Sequence, residues 1–148
     1  MNPEGHVSMA ARACLEQGYR RLRLELGIVS RIRGDVYQII AVYPDSGMLG
    51  LGTELPLEQT YCRDVFERGR ALARNDLSGE WGLSRHPLYV MLSLEAYIGA
   101  PLRVRGATWG TINFTSHVRR RAFTDEDLAF VSALADRVGL EIERSLEF

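Results

Sequence analysis

Cys62 is the residue best equipped for chemistry. It stands in Thr60-Tyr61-Cys62-Arg63, a segment read as a short helix beside a glycine-rich loop, where a thiolate serves as redox sensor, metal ligand or nucleophile. A free cysteine is just as familiar as a small buried hydrophobe. His86, followed by Pro87 in a long irregular stretch, offers a metal or haem ligand or a general base. The plainer reading is a hydrogen bond to loop backbone. His6 and His117 are remote in sequence, so no second histidine stands at ligand spacing and no metal is expected. Glu95 and Tyr97 open a strand, and a carboxylate at the end of a central strand needs a partner, for which arginine is the structural choice. Tyr61, Trp81, Tyr89, Tyr97 and Trp109 either line a cavity for a planar ligand or fill a core. Arg119-Arg120-Arg121 invites a phosphate, but the run precedes an acidic helix start and reads as a solvated face, so nucleic acid is not an expected partner.

The elements that must position these groups follow from periodicity. From Ser8 to Leu26, Ala11, Leu15, Tyr19, Leu22 and Leu26 recur at helical spacing. Gly27 to Arg33 and Val36 to Tyr43 read as antiparallel strands around Gly34-Asp35, so the Arg33-Gly34-Asp35 tripeptide is explained by a hairpin turn. Pro44 to Thr53 reads as a loop, Leu57 to Glu67 as a short helix, Ala71 to Asn75 as a short strand and Asp76 to Pro87 as an irregular binding segment. Leu94 to Ser116 then forms a long hairpin turning at Arg105-Gly106-Ala107. Ala96, Ile98, Ala100, Leu102 and Val104 share one face of it, and Trp109, Thr111 and Asn113 alternate with Gly110, Ile112 and Phe114. Pro101 belongs at an edge or a bulge.

Thr124 is the expected N-cap of a final helix running to Leu146, with Asp125, Glu126 and Asp127 in its first turn and Phe123 stapling onto Leu128. Such a helix is about 34 Å long at ~1.5 Å per residue. Leu128, Val131, Ala135, Val138 and Ile142 follow the spacing of a coiled-coil seam, and this is the candidate interface of a homodimer. The same spacing also suits an amphipathic helix lying on its own sheet. Gly139 weakens this helix unless close backbone packing uses it.

Composition narrows the function. The chain has 148 residues, 46% of them hydrophobic and 25% charged, with a formal charge of -1, so it suits one globular domain and carries no global field toward nucleic acid or anionic lipid. All 18 residues counted as lysine or arginine are arginine, which excludes Schiff-base chemistry and a lysine-bearing phosphate loop. The two cysteines, Cys14 and Cys62, are too few for a disulfide framework and read as reduced. Residues 1–9 lack a basic flank followed by an apolar run, and no apolar stretch reaches the ~20 residues that span a bilayer. The expectation is a cytoplasmic chain without direct membrane contact.

Taken in order, Thr60-Tyr61-Cys62, His86-Pro87-x-Tyr89, Leu94-Glu95-x-Tyr97-Ile98-Gly99 and Gly110-Thr111-x-Asn113-Phe114 resemble the GAF domains of bacterial sensor kinases and related signalling proteins. The resemblance runs from roughly Leu15 to Arg144. It implies a single domain over residues 1–148 with an α+β, PAS-related fold, an antiparallel sheet of about five or six strands. The terminal helices should share one face, with short helices and loops over a pocket on the other. By position in that fold, Tyr61, Cys62, Asp76, Trp81, His86, Tyr89, Glu95, Tyr97 and Asn113 would line the pocket. The lysine-containing cyclic-nucleotide signature of such domains is absent, and Cys62 is followed by Arg63 where bilin-attaching members have histidine.

The resemblance implies a non-enzymatic sensory module that binds an unidentified small molecule and signals through paired terminal helices to a histidine kinase or cyclase output domain. It leaves open a free methionine-R-sulfoxide reductase using Cys62, although such chemistry ordinarily needs a resolving thiol. A dimerisation spacer with a filled core is the third reading. The cofactor, if any, is not specified.

Overall fold

Pro3, whose fixed φ suits a first helical turn and whose missing N–H costs nothing there, opens the N-terminal helix. The computed structural model describes residues 3–44, 51–57, 62–74, 95–118 and 120–146. Helix α1 spans Pro3–Leu22, β1 Leu26–Arg33, β2 Val36–Tyr43, β3 Glu54–Pro56, α2 Cys62–Arg68, β4 Leu72–Arg74, β5 Ala96–Val104, β6 Ala107–Ser116 and α3 Asp125–Ser145. The expected first helix ran from Ser8 to Leu26, and both ends differ. Pro3 starts it earlier, and it stops at Leu22 because Arg23 turns to a φ of +56° while its N–H still bonds the Tyr19 carbonyl.

The six strands form one antiparallel sheet in the order β3-β2-β1-β6-β5-β4. Both expected hairpins are present, turning on Gly34 at φ +56° and on Gly106 at φ +81°. Strand β3 lies between the expected loop, Pro44 to Thr53, and the expected helix from Leu57, and its three residues are too few for a two-residue alternation to show. Two bulges reset which side chains share a face. Val29 pairs with Ala41 but Ser30 with Ile39, so Ile40 is an extra residue of β2. Leu102 pairs with Gly110 but Arg103 with Thr108, so Trp109 is an extra residue of β6. That second slip corrects the expected alternation: Trp109 packs toward the helix-side core and does not share a side with Thr111 and Asn113. Pro101 lies on β5 beyond Gly99, the last residue paired with β4, and so at the open edge it was expected to occupy.

Helices α1 and α3 cover one face of the sheet. Leu15, Val29, Ile98, Ala100, Leu102, Ile112, Phe114, Leu134 and Val138 form its core. Fit here depends on missing Cβ atoms. A Cβ on Gly27 would come within 2.8 Å of the Phe114 ring, and one on Gly18 would overlap that ring outright. Gly139 lets the α3 backbone rest on the backbone of Arg103, the close approach that justifies a glycine inside a helix. The start of α3 is a capping box: the Asp127 N–H donates to Thr124 Oγ1 at 3.1 Å, and the Thr124 N–H to Asp127 Oδ2 at 2.9 Å. Arg120, read as part of a solvated run, lies 4.1 Å over the Phe123 ring and 3.8 Å from Asp127, so it helps secure this helix start.

The residues of the expected dimer seam are packed against the core of the single chain. Val131, Ala135, Val138 and Ile142 are at most 3% exposed, and Leu128 packs against the same core. The helix lying on its own sheet is thus present in the single chain, and it is compatible with the pairing of copies that the same spacing suggests.

Candidate functional site

On the opposite face of the sheet, Cys62, Tyr97 and Asn113 come together from three of the sequence motifs. Helix α2 lies against β5 and β6 there, over a second cluster built from Ile28, Ile32, Tyr37, Ile39, Val42, Leu57, Cys62, Val65 and Tyr97. Cys62 is the first residue of α2, and its sulfur faces the sheet at 3% exposure. Tyr97 is the second residue of β5. Its ring lies flat over Gly99, since a Cβ on that glycine would stand 2.8 Å from the ring carbon bearing the hydroxyl. Across the ladder from Gly99 is Asn113. Glycine two residues on is thus what lets Tyr97 lie down and reach the centre of the face.

Three residues from distant parts of the chain therefore converge on one sulfur. The Tyr97 hydroxyl and the Asn113 side-chain N–H each donate to Cys62 Sγ at 3.2 Å. The Asn113 amide also donates to the Tyr37 hydroxyl at 3.2 Å, and the Cys62 thiol points to that same oxygen at 3.9 Å. Ser30 continues the polar face: its hydroxyl lies 2.7 Å from that of Thr111, its partner across the β1–β6 ladder, and its pull on the Tyr37 hydroxyl opposes the effect of burial there. All six side chains are buried.

The electrostatics keep this network neutral. Burial pushes the Cys62 thiol above its ordinary range, against the opposing pull of bonds from Thr111, Tyr97, Tyr37 and Asn113. Burial, then the neighbouring Cys62, raises Tyr37 and Tyr97 well above the usual phenol range. At neutral pH the sulfur carries its proton, and a protonated, buried thiol is a poor nucleophile. Cys14 is on the helix side of the sheet, so it cannot act as resolving thiol for Cys62. Its own thiol is raised by burial, with Arg137 pulling the other way.

Of the nine positions assigned to the pocket, Cys62, Tyr97 and Asn113 are in direct contact. Glu95 precedes β5, half-buried, with its N–H bonded to the Ser116 carbonyl at 2.8 Å. Tyr61, Asp76, Trp81, His86 and Tyr89 lie outside the described residues. Among the described residues no cluster of three or more His, Cys, Asp or Glu is placed to hold a metal. No helix among the described residues is long and apolar enough to cross a membrane. Sequence reasoning missed Tyr37, Ser30 and Thr111. Their signal was a polar group at a position whose alternation, in strands β1, β2 and β6, points to a covered face.

A GAF domain family model matches residues 7–142. Among solved structures, the chain is similar to the PixJ GAF domain of Thermosynechococcus elongatus in its blue-light absorbing form, with 19% identity and a TM-score of 0.76 over 93% of this chain and 85% of that one. It is similar to the type II free methionine-R-sulfoxide reductase of Thermoplasma acidophilum, at 16% identity and TM-score 0.78 over 97% and 96% of the two chains. It is also similar to the GAF domain of a phosphoenolpyruvate-protein phosphotransferase from Coxiella burnetii, at 15% and 0.79 over 96% and 85%. No curated protein matches the chain. The open antiparallel sheet with terminal helices on one side and α2 on the other, together with a family model that spans residues 7–142, shows that this chain belongs to the GAF domain family.

Proposed function

We propose that the chain is a non-enzymatic sensory module of the cytoplasm. It holds a small molecule on the α2 side of its sheet and passes the binding event to α1 and α3, which work in a homodimer and address a histidine kinase or cyclase output. A ligand acts on such a module only through its different affinity for two arrangements of it. The observation that carries this reading is the neutral polar floor. Tyr37, Tyr97, Asn113, Ser30 and Thr111 occupy covered strand positions where apolar side chains would be cheaper to bury. Such a surface can trade internal hydrogen bonds for bonds to an uncharged ligand.

The reductase reading is favoured by one observation, the likeness to the Thermoplasma acidophilum enzyme. The chemistry of Cys62 argues against it, since the thiol retains its proton and Cys14 is across the sheet. Native mass spectrometry on protein purified from its own host tests the proposal. The expected spectrum shows a retained small molecule that Asn113→Leu releases. A bare mass, together with turnover of free methionine-R-sulfoxide by a thiol reductant that Cys62→Ser abolishes, would replace the sensor with an enzyme.

A further inference from the structure

A sheet with a ligand face and a helix face needs a route between them, and at the bulge opposite Leu102-Arg103 one residue contacts elements on both. The guanidinium of Arg103 donates to the carbonyl of Gly69, which ends α2 in the left-handed conformation at φ +65°. The backbone of the same residue lies under α3. A Cβ on Gly139 would overlap the Arg103 carbonyl oxygen and stand 3.7 Å from its nitrogen. Two residues on, the Arg105 N–H donates to Glu143 Oε1 at 2.6 Å, one turn further along α3. Arg103 thus touches α2 with its side chain and α3 with its main chain. A bulge is the part of a ladder best able to change its local geometry, because one of its residues is unpaired.

We propose that Arg103 is the coupling residue of this domain. Displacement of α2 pulls on the guanidinium, shifts the strand at the bulge and so alters the seating of the α3 segment from Gly139 onward. The biological use of this coupling rests on the sensory reading above, but the coupling itself exists in the ligand-free chain and is tested there. Loss of a hydrogen bond from a charged donor to a helix-end carbonyl frees α2 to open, and opening exposes Cys62.

The test uses Cys14→Ser as background, so that Cys62 is the one thiol. Its modification by dithiobis-nitrobenzoate is followed in low urea, in a range where the rate does not depend on urea and so reports local opening. Arg103→Ala should accelerate labelling roughly tenfold, and Arg103→Lys by less. The deciding arm is across the sheet. Gly139→Ala, or the milder Glu143→Gln should the first fail to fold, should speed Cys62 labelling several-fold when Arg103 is present and leave it unchanged when Arg103 is alanine. Hydrogen exchange of amides 139–146 confirms that each α3 variant loosens its own helix. Faster exchange there with unaltered Cys62 labelling overturns the proposal, as does a double variant whose effects simply multiply. Either failure leaves the retained ligand of the preceding test unaffected, so the two ideas fall separately.

Discussion

The two faces of this sheet are built on opposite terms. On the helix face, Ile98, Ala100, Leu102, Ile112 and Phe114 meet α1 and α3 with apolar surface, and glycines at positions 18, 27 and 139 draw backbone against side chain or backbone. On the α2 face, hydroxyls, an amide and a thiol occupy the centre and satisfy one another. The first surface has no alternative partner; close-packed apolar groups resist rearrangement because every shift opens a void. The second holds bonds that another polar molecule can replace. It is the sheet that keeps the two chemistries apart.

The largest effect should come from breaking the helix face. Phe114 is fully buried and sits in a socket made by Gly18, Gly27 and Leu15, leaving little room to collapse once the ring is gone. Phe114→Ala is expected to cost about 3–5 kcal/mol of unfolding free energy in urea titration, with the denaturant slope unchanged. A loss under about 1 kcal/mol would mean that this side is not the interlocked one. Across the sheet, Asn113→Ala removes a donor from both Tyr37 and Cys62 and should cost about 1–3 kcal/mol by the same titration. If the polar side proved the more sensitive of the two, the contrast between a fixed face and an adaptable one would be reversed.

How far the sequence announced this division differs between the faces. The start of α3 was fully written, because Thr124, Asp127 and the acidic first turn act over four residues with no help from the rest of the chain. The turns at Gly34 and Gly106 were legible for the same local reason. The function of Gly139 was half legible: propensity marks it as out of place, but the strand that needs it is more than thirty residues earlier in the chain. Ser30, Tyr37 and Thr111 were not read as a site because each looks like an ordinary strand residue until the ladder sets β1 between β2 and β6. Bulges hid more. A single inserted residue at Ile40 or Trp109 shifts the face of everything after it, and nothing in the local composition marks either one. The seam residues of α3 were identified correctly as one apolar stripe, yet spacing alone cannot say whether a sheet or a second helix covers it.

Alkaline titration gives the finest comparison of the two faces. Cys62, Tyr37 and Tyr97 all have folded-state pKa values raised chiefly by burial. The unfolded chain therefore releases these protons first, and each release draws the equilibrium toward unfolding. Stability contributed by these groups is whole below the unfolded thiol range of about 8.5, declines as pH passes through it, and falls faster near the phenol range of about 10. Replacing Cys62 with alanine should flatten the first part of that decline while leaving the phenol part in place. Replacing Cys14, whose thiol burial also raises against the pull of Arg137, should flatten it as well. The measurement is the urea midpoint of parent, Cys14→Ala and Cys62→Ala from pH 7 to 10, with midpoints compared as slopes so that the packing cost of each alanine cancels. Equal slopes for all three would show that the Cys62 sulfur is already open to water, and the polar floor would then have no closed state for a ligand to displace.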